Sequence, residues 1–166
     1  MEYIFDTHAH YDDEDFDADR YELLESMKEH GVGTIVNIGA SMRSCKTTLA
    51  LAEKYPFVYG ALGVHPSDCG MMTEEDIQWI KANAANEKIV AIGEIGLDYH
   101  YEDIPRQIQL RAFRDQMALA KELDLPVIVH EREAHEDGMS VVKEFPEVTG
   151  VFHCYSGSTE MARWLI

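Results

Sequence analysis

Basic residues are scarce in this chain: 14 lysines and arginines stand against 31 aspartates and glutamates, a formal net charge of −17 over 166 residues. That surplus repels polyanions at long range and excludes a broad phosphate-binding surface, so any nucleic acid must be held locally, with cations helping. Cysteine is scarce as well. Cys45, Cys69 and Cys154 are odd in number and widely spaced, with no Cys-x-x-Cys pair to make a zinc knuckle or a thioredoxin-like site. They read as reduced thiols in a reducing compartment. No apolar run approaches a membrane span, and the start carries Glu2 where a secretory leader would be basic and then apolar. A cytoplasmic protein without membrane contact is therefore expected. There is no repeat, low-complexity tract or Pro/Gly/Ser-rich linker at which to divide the chain, so residues 1–166 are expected to form a single domain.

What the chain does have is alternation. Short β-rich runs appear at Tyr3 to Thr7, Thr34 to Ile38, Phe57 to Gly63, Ile89 to Glu94, Pro126 to His130 and Gly150 to His153, each followed by a helical pattern. The first helix is expected over Asp19 to His30, with Leu23, Leu24 and Met27 on one side and Gly31 as its C′ residue. Thr73 with Asp76 suggests a capping box opening the third. The fourth, Ile104 to Leu123, is the longest and ends before Pro126. The acidic run of Asp12, Asp13, Glu14, Asp15, Asp17, Asp19, Glu22 and Glu25 reads as a solvated loop and helix face.

Strand then helix, repeated, implies parallel strands in a doubly wound sheet or a (β/α)8 barrel. The polar residues choose. His8, Glu94, His130 and His153 lie at or just past the ends of predicted strands, where a barrel gathers its site from several strands at once. An open sheet would string those ends along a line. The fold class expected is thus α/β of the TIM-barrel type, with about six βα units.

In His8-Ala9-His10, strand geometry sends both imidazoles to one face. Glu94 ends Val90-Ala91-Ile92-Gly93-Glu94, His130 ends Val127-Ile128-Val129-His130, and His153 follows Val151-Phe152. One apolar strand ending in a metal-competent residue is ordinary; a series of them points to one centre. Four imidazoles and a carboxylate exceed what a single tetrahedral zinc needs, so two divalent ions bridged by Glu94 fit the count. Nitrogen and oxygen donors without thiolate suit zinc, manganese or iron better than magnesium alone. Cys154, next along a strand from His153, is expected to point the other way into the core.

These segments resemble the TatD family of metal-dependent deoxyribonucleases, within the amidohydrolase-like group of TIM barrels. The resemblance rests on Phe5-Asp6-Thr7-His8-Ala9-His10, Gly63-Val64-His65-Pro66, Ile92-Gly93-Glu94-Ile95-Gly96-Leu97-Asp98-Tyr99, Pro126-Val127-Ile128-Val129-His130 with Arg132, and Phe152-His153-Cys154-Tyr155-Ser156-Gly157. It implies that His8 and His10 hold one metal, that Glu94 bridges both, and that His130 and His153 hold the other. It further implies that His65 and Arg132 face a substrate phosphate, with Glu94, His65 and Arg132 serving two-metal hydrolysis of DNA phosphodiester bonds, at strand ends rather than along a duplex. An ion pair with Glu131, Glu133 or Glu136 is the alternative for Arg132; for His65 it is a loop turn before Pro66.

Three departures are visible. A closed barrel takes about 250 residues, so two units are missing, and with them the family's Asp at the end of the eighth strand. The expectation is that Ile166 is a truncation point, or that a partner chain, including another copy, covers the open barrel edge. Glu131 puts a carboxylate beside Arg132 and is expected to weaken its hold on phosphate. Two other functions fit the same residues: a small-molecule ester, amide or lactone hydrolase, and a catalytically impaired remnant that only binds metal. Glu94, where phosphotriesterase-like relatives use lysine, favours the nuclease.

Overall fold

The structure, a computed structural model, describes residues 3–166. Six parallel strands lie side by side in chain order: β1 Ile4–Ala9, β2 Val32–Ile38, β3 Val58–Leu62, β4 Ile89–Asp98, β5 Val127–Arg132 and β6 Gly150–Phe152. Each is followed by a helix: α1 Arg20–Ser26, α2 Met42–Lys54, α3 Glu74–Asn83, α4 Arg106–Leu123, α5 His135–Lys143 and α6 Thr159–Leu165. The sheet is curled into half of a TIM-type barrel. Its curvature is visible in one distance: the rings of His8, in the first strand, and His153, just past the last, stack with centroids 4.0 Å apart. The alternation that pointed to an incomplete barrel is thus realised. At the rims, Ile4 and Phe5 of β1 and Val151 of β6 are each more than half exposed.

Parallel strands covered on both faces read as continuous apolar runs, and β4 shows why. Every residue from Ile89 to Asp98 except Val90 is buried, with α4 laid against it. The α4 face that does this carries Ala112, Phe113, Met117, Leu119 and Ala120, but also two glutamines. Gln116, 1% exposed, accepts from the Val64 N–H at 2.7 Å and donates to the Val64 carbonyl at 3.0 Å. Gln109 accepts from the Asp98 N–H at 2.9 Å and donates to the Asp98 and Ile104 carbonyls at 2.9 and 3.0 Å. Two helical turns apart, they face the same way and meet the backbone as a neighbouring strand would. They fix the residue before His65 and Asp98 itself.

Thr73 caps α3 reciprocally with Asp76, as its sequence suggests. Several boundaries differ. Regular helix α1 runs only from Arg20 to Ser26; Met27 to His30 form turns before Gly31, whose φ of 81° supplies the left-handed step that closes them. Helix α4 begins at Arg106, because Pro105 cannot donate and suits the position just outside. Strand β4 continues four residues past Glu94, which places that carboxylate inside the strand. Cys154 is exposed, not core: the chain leaves strand geometry after Phe152, and Cys154 has φ 46°, so alternation no longer applies. The other two cysteines are buried. The acidic run is largely solvated as expected, except that Asp12 is half-buried and Arg20, in its midst, is buried.

Candidate metal centre

Glu94 is 3% exposed, and burial alone would raise its pKa. Hydrogen bonds from His130, His153 and His8 overcome that and hold it far below the usual carboxylate range. Its Oε1 lies 2.9 Å from His130 Nδ1 and 2.8 Å from His153 Nε2; its Oε2 lies 3.4 Å from His8 Nε2 and 3.6 Å from His10 Nε2. His65 Nε2 is 3.9 Å from Oε1. Five imidazoles from β1, β5 and the segments after β1, β3 and β6 thus ring one buried carboxylate.

Asp98 completes a second group. Its Oδ2 stands 3.0 Å from His130 Nε2, and its Oδ1 accepts the His100 N–H at 2.9 Å. Burial opposes a charged ring at His130, but its hydrogen bonds to Glu94 and Asp98 prevail and its pKa is raised. Burial and the neighbouring His130 push His65 down to about 4, so at neutral pH it is uncharged. Two sets of donor atoms lie within 4.8 Å of one another: His8, Glu94 and His153, and separately His65, Asp98 and His130. His153 therefore groups with His8, across the curl, and His130 with Asp98.

The ring nitrogens are prepared by what stands behind them. His10 Nδ1 is 3.0 Å from the Ile38 carbonyl, which can only accept, so this nitrogen carries the proton and Nε2 keeps a lone pair in the neutral ring. That Nε2 lies 3.2 Å from His8 Nε2. The following loop is held from below by Asn37, fully buried, which accepts the Tyr11 N–H at 2.7 Å and donates to Asp12 and Thr48 at 2.7 and 2.8 Å. Arg20 binds the same loop through the carbonyls of Tyr11, Asp12 and Asp13 and the Asp17 carboxylate. Gly96 has φ 139°, and a Cβ there would overlap the His130 carbonyl oxygen. Only glycine lets β4 and β5 approach so closely beneath the centre.

Six of the residues singled out in the sequence converge: His8, His10, His65, Glu94, His130 and His153. Arg132 stands apart, exposed, its guanidinium 5.4 Å from the centre of the Tyr101 ring. Of the three acids offered as its alternative partners, Glu131 pairs with His135 and Glu133 with His100. Glu131 also accepts the Ala134 N–H at 2.8 Å, at the start of α5, so its carboxylate is turned to that helix and to His135. Asp98, Asn37 and Arg20 were not singled out as site residues. Asp98 carried a signal: it lies four residues beyond Glu94, the same-face spacing of a continuing strand.

Known proteins resemble this chain along nearly all of it. An uncharacterized metal-dependent hydrolase of Bacillus subtilis, YabD, is 47% identical over 162 residues, covering 96% of this chain and 64% of the relative. A protein of Cronobacter sakazakii named 3'-5' ssDNA/RNA exonuclease TatD is 32% identical, covering 96% of this chain and 62% of that one. The crystal structure of YjjV, a TatD homologue from Escherichia coli K12, matches with a TM-score of 0.87 at 34% identity, over 98% of this chain and 64% of that one. The chain therefore spans just under two thirds of the length of these relatives. The model of the TatD related DNase family matches residues 5–166, and the chain belongs to that family.

Proposed function

We propose that this chain carries the metal-binding half of a hydrolase that cleaves phosphodiester bonds at the ends of single-stranded nucleic acid. The observation that carries the reading is the buried Glu94 carboxylate ringed by the nitrogens of His8, His130 and His153 at 2.8 to 3.4 Å. Without a cation the same site crowds five imidazoles around one carboxylate, and the lone pair on His10 Nε2 faces a second imidazole nitrogen. A divalent ion satisfies both. His8, Glu94 and His153, with His10 beside them, would hold one ion; His65, Asp98 and His130 would hold another. The donor set of imidazoles and carboxylates fits zinc, manganese or iron. Bound there, such ions would supply Lewis acidity toward a phosphoryl oxygen and toward water near neutral pH.

The chain's own groups do the rest. Glu94 keeps its charge because three imidazoles stabilise it, and so remains an anionic donor at the centre over the working pH range. Ile38, Asn37 and Arg20 fix the orientation of His10 and its loop. Arg132, at the rim, offers a planar cation that matches phosphate geometry in an otherwise acidic chain. The focus of positive charge is small, which favours a chain end entering a cleft over grip along a duplex. Binding is local, and a cytoplasmic setting suits the free thiols.

The test is degradation of a labelled single-stranded oligonucleotide by the metal-loaded chain. Shortening from one end is expected, abolished by chelation and lost in Glu94→Gln and His130→Ala. A second reading, hydrolysis of small esters or amides, has support in the B. subtilis relative's name, which specifies no nucleic acid. Ester turnover with the oligonucleotide intact would establish it and overturn the first. Metal bound with neither substrate consumed would leave a binding remnant.

A further inference from the structure

Beside the metal centre, between the β3–α3 and β4–α4 loops, lies a cavity of about 240 Å³ lined by Ser67, Asp98, Tyr101, Asp103, Ile104 and Gln109. We propose that it is a nucleobase subsite, with Tyr101 as the stacking platform for the terminal base of the strand whose phosphate reaches the metal centre. This rests on the nuclease reading above and adds a specificity residue to it.

Four observations carry the proposal. The first is position. Asp98 lines the cavity while its carboxylate binds His130 on one oxygen and the His100 N–H on the other, so the loop bearing Tyr101 is tied directly to a donor of the centre. The second is the state of the ring. Tyr101 is 54% exposed, yet oriented: it meets His100 edge-on with centroids 4.9 Å apart, and His100 is itself pinned to Glu133 at 2.9 Å. An exposed aromatic held in place and facing a cavity offers a π-face at low ordering cost. The third is charge. The charged groups lining the cavity, Asp98 and Asp103, are carboxylates, which reject a second phosphate and accept a flat neutral ring. The fourth is the neighbour. The Arg132 guanidinium lies 5.4 Å from the Tyr101 centroid, within cation–π range, so a cation suited to phosphate stands beside the platform. The volume is below the ~300 Å³ at which drug-sized pockets begin, room for one base and not two.

A single-stranded oligonucleotide ending in 2-aminopurine, made with phosphorothioate links to slow its loss, reports stacking by fluorescence quenching. Quenching is expected with the metal-loaded chain, lost in Tyr101→Ala and restored in Tyr101→Phe. In parallel, the ratio of kcat/KM for a base-bearing end to that for an abasic end should fall by about 5- to 150-fold in Tyr101→Ala, mostly through KM. Quenching and ratio both unchanged in Tyr101→Ala would overturn the subsite while leaving the nuclease reading intact. Failure of the parent chain to hydrolyse either end would overturn the nuclease reading, and this one with it.

Discussion

Replacing Gln116 by leucine tests how the α4 helix positions the centre. The side chains are similar in size, so the core volume is kept, but the Val64 N–H and C=O lose their partners in a site water does not reach. Each orphaned group costs ~1–3 kcal/mol, or ~2–6 kcal/mol for the pair. The leucine returns ~1–2 kcal/mol of apolar burial, leaving a net loss centred on ~2.5 kcal/mol. With an m value of ~2 kcal/mol/M in urea, the unfolding midpoint should fall by ~1–2 M at unchanged m. Gln107→Leu, an exposed position one face round, should move it by less than ~0.3 M. Gln116→Glu sharpens the test. Its carboxylate still accepts from the Val64 N–H, but sets a second oxygen against the Val64 carbonyl until it is protonated. The folded state would then bind that proton more tightly than the unfolded chain does near ~4.3, so stability falls as pH rises past that value. The Gln116→Glu deficit should be largest at pH 7 and shrink toward pH 4. A Gln116→Leu midpoint within ~0.3 M of the parent would refute the claim that this amide substitutes for a strand.

Three further outcomes follow from the geometry. A fitting divalent ion at 100 times its Kd should stabilise the chain by ~2.7 kcal/mol, read as a Tm rise of ~5–10 °C by calorimetry, and Glu94→Gln should remove most of that rise. Of the thiols, Cys154 alone should react with a disulfide reagent in the native chain: burial pushes Cys45 up to about 12 and Cys69 to about 11, and all three should react in denaturant. Gly96→Ala should cost ~4 kcal/mol or more in urea unfolding, since it combines a left-handed backbone with overlap onto the His130 carbonyl; a loss under ~1 kcal/mol would contradict that overlap.

The architecture was legible because parallel strands buried on both faces write themselves as apolar runs, and because residues ending those runs share one rim. His8 and His10 stood out through strand alternation together with the other strand-end residues, although His10 lies just past the end of β1. The reading failed where local rules stop at an element's end. Strand β4 was expected to finish at Glu94, so Asp98 was not singled out, although the strand simply continues. Cys154 was assigned by alternation, but the backbone turns left-handed there. Gln109 and Gln116 were invisible for another reason. Glutamine on a helix usually faces water, and only the tertiary structure reveals backbone groups awaiting an amide. Arg20 sat within an acidic run that reads as solvated surface, and its partners are mostly carbonyls, which sequence does not display.

The stacking of His8 on His153 makes the curvature of the sheet and the spacing of the donors one variable. The two rings stand at opposite edges of the sheet, one in β1 and one just past β6. A ligand bonding to both acts as a clasp on the sheet, and by linkage its affinity becomes a gauge of how tightly the sheet is wound. Substitutions far from the centre that flatten the sheet should therefore weaken that ligand, without touching any residue that binds it.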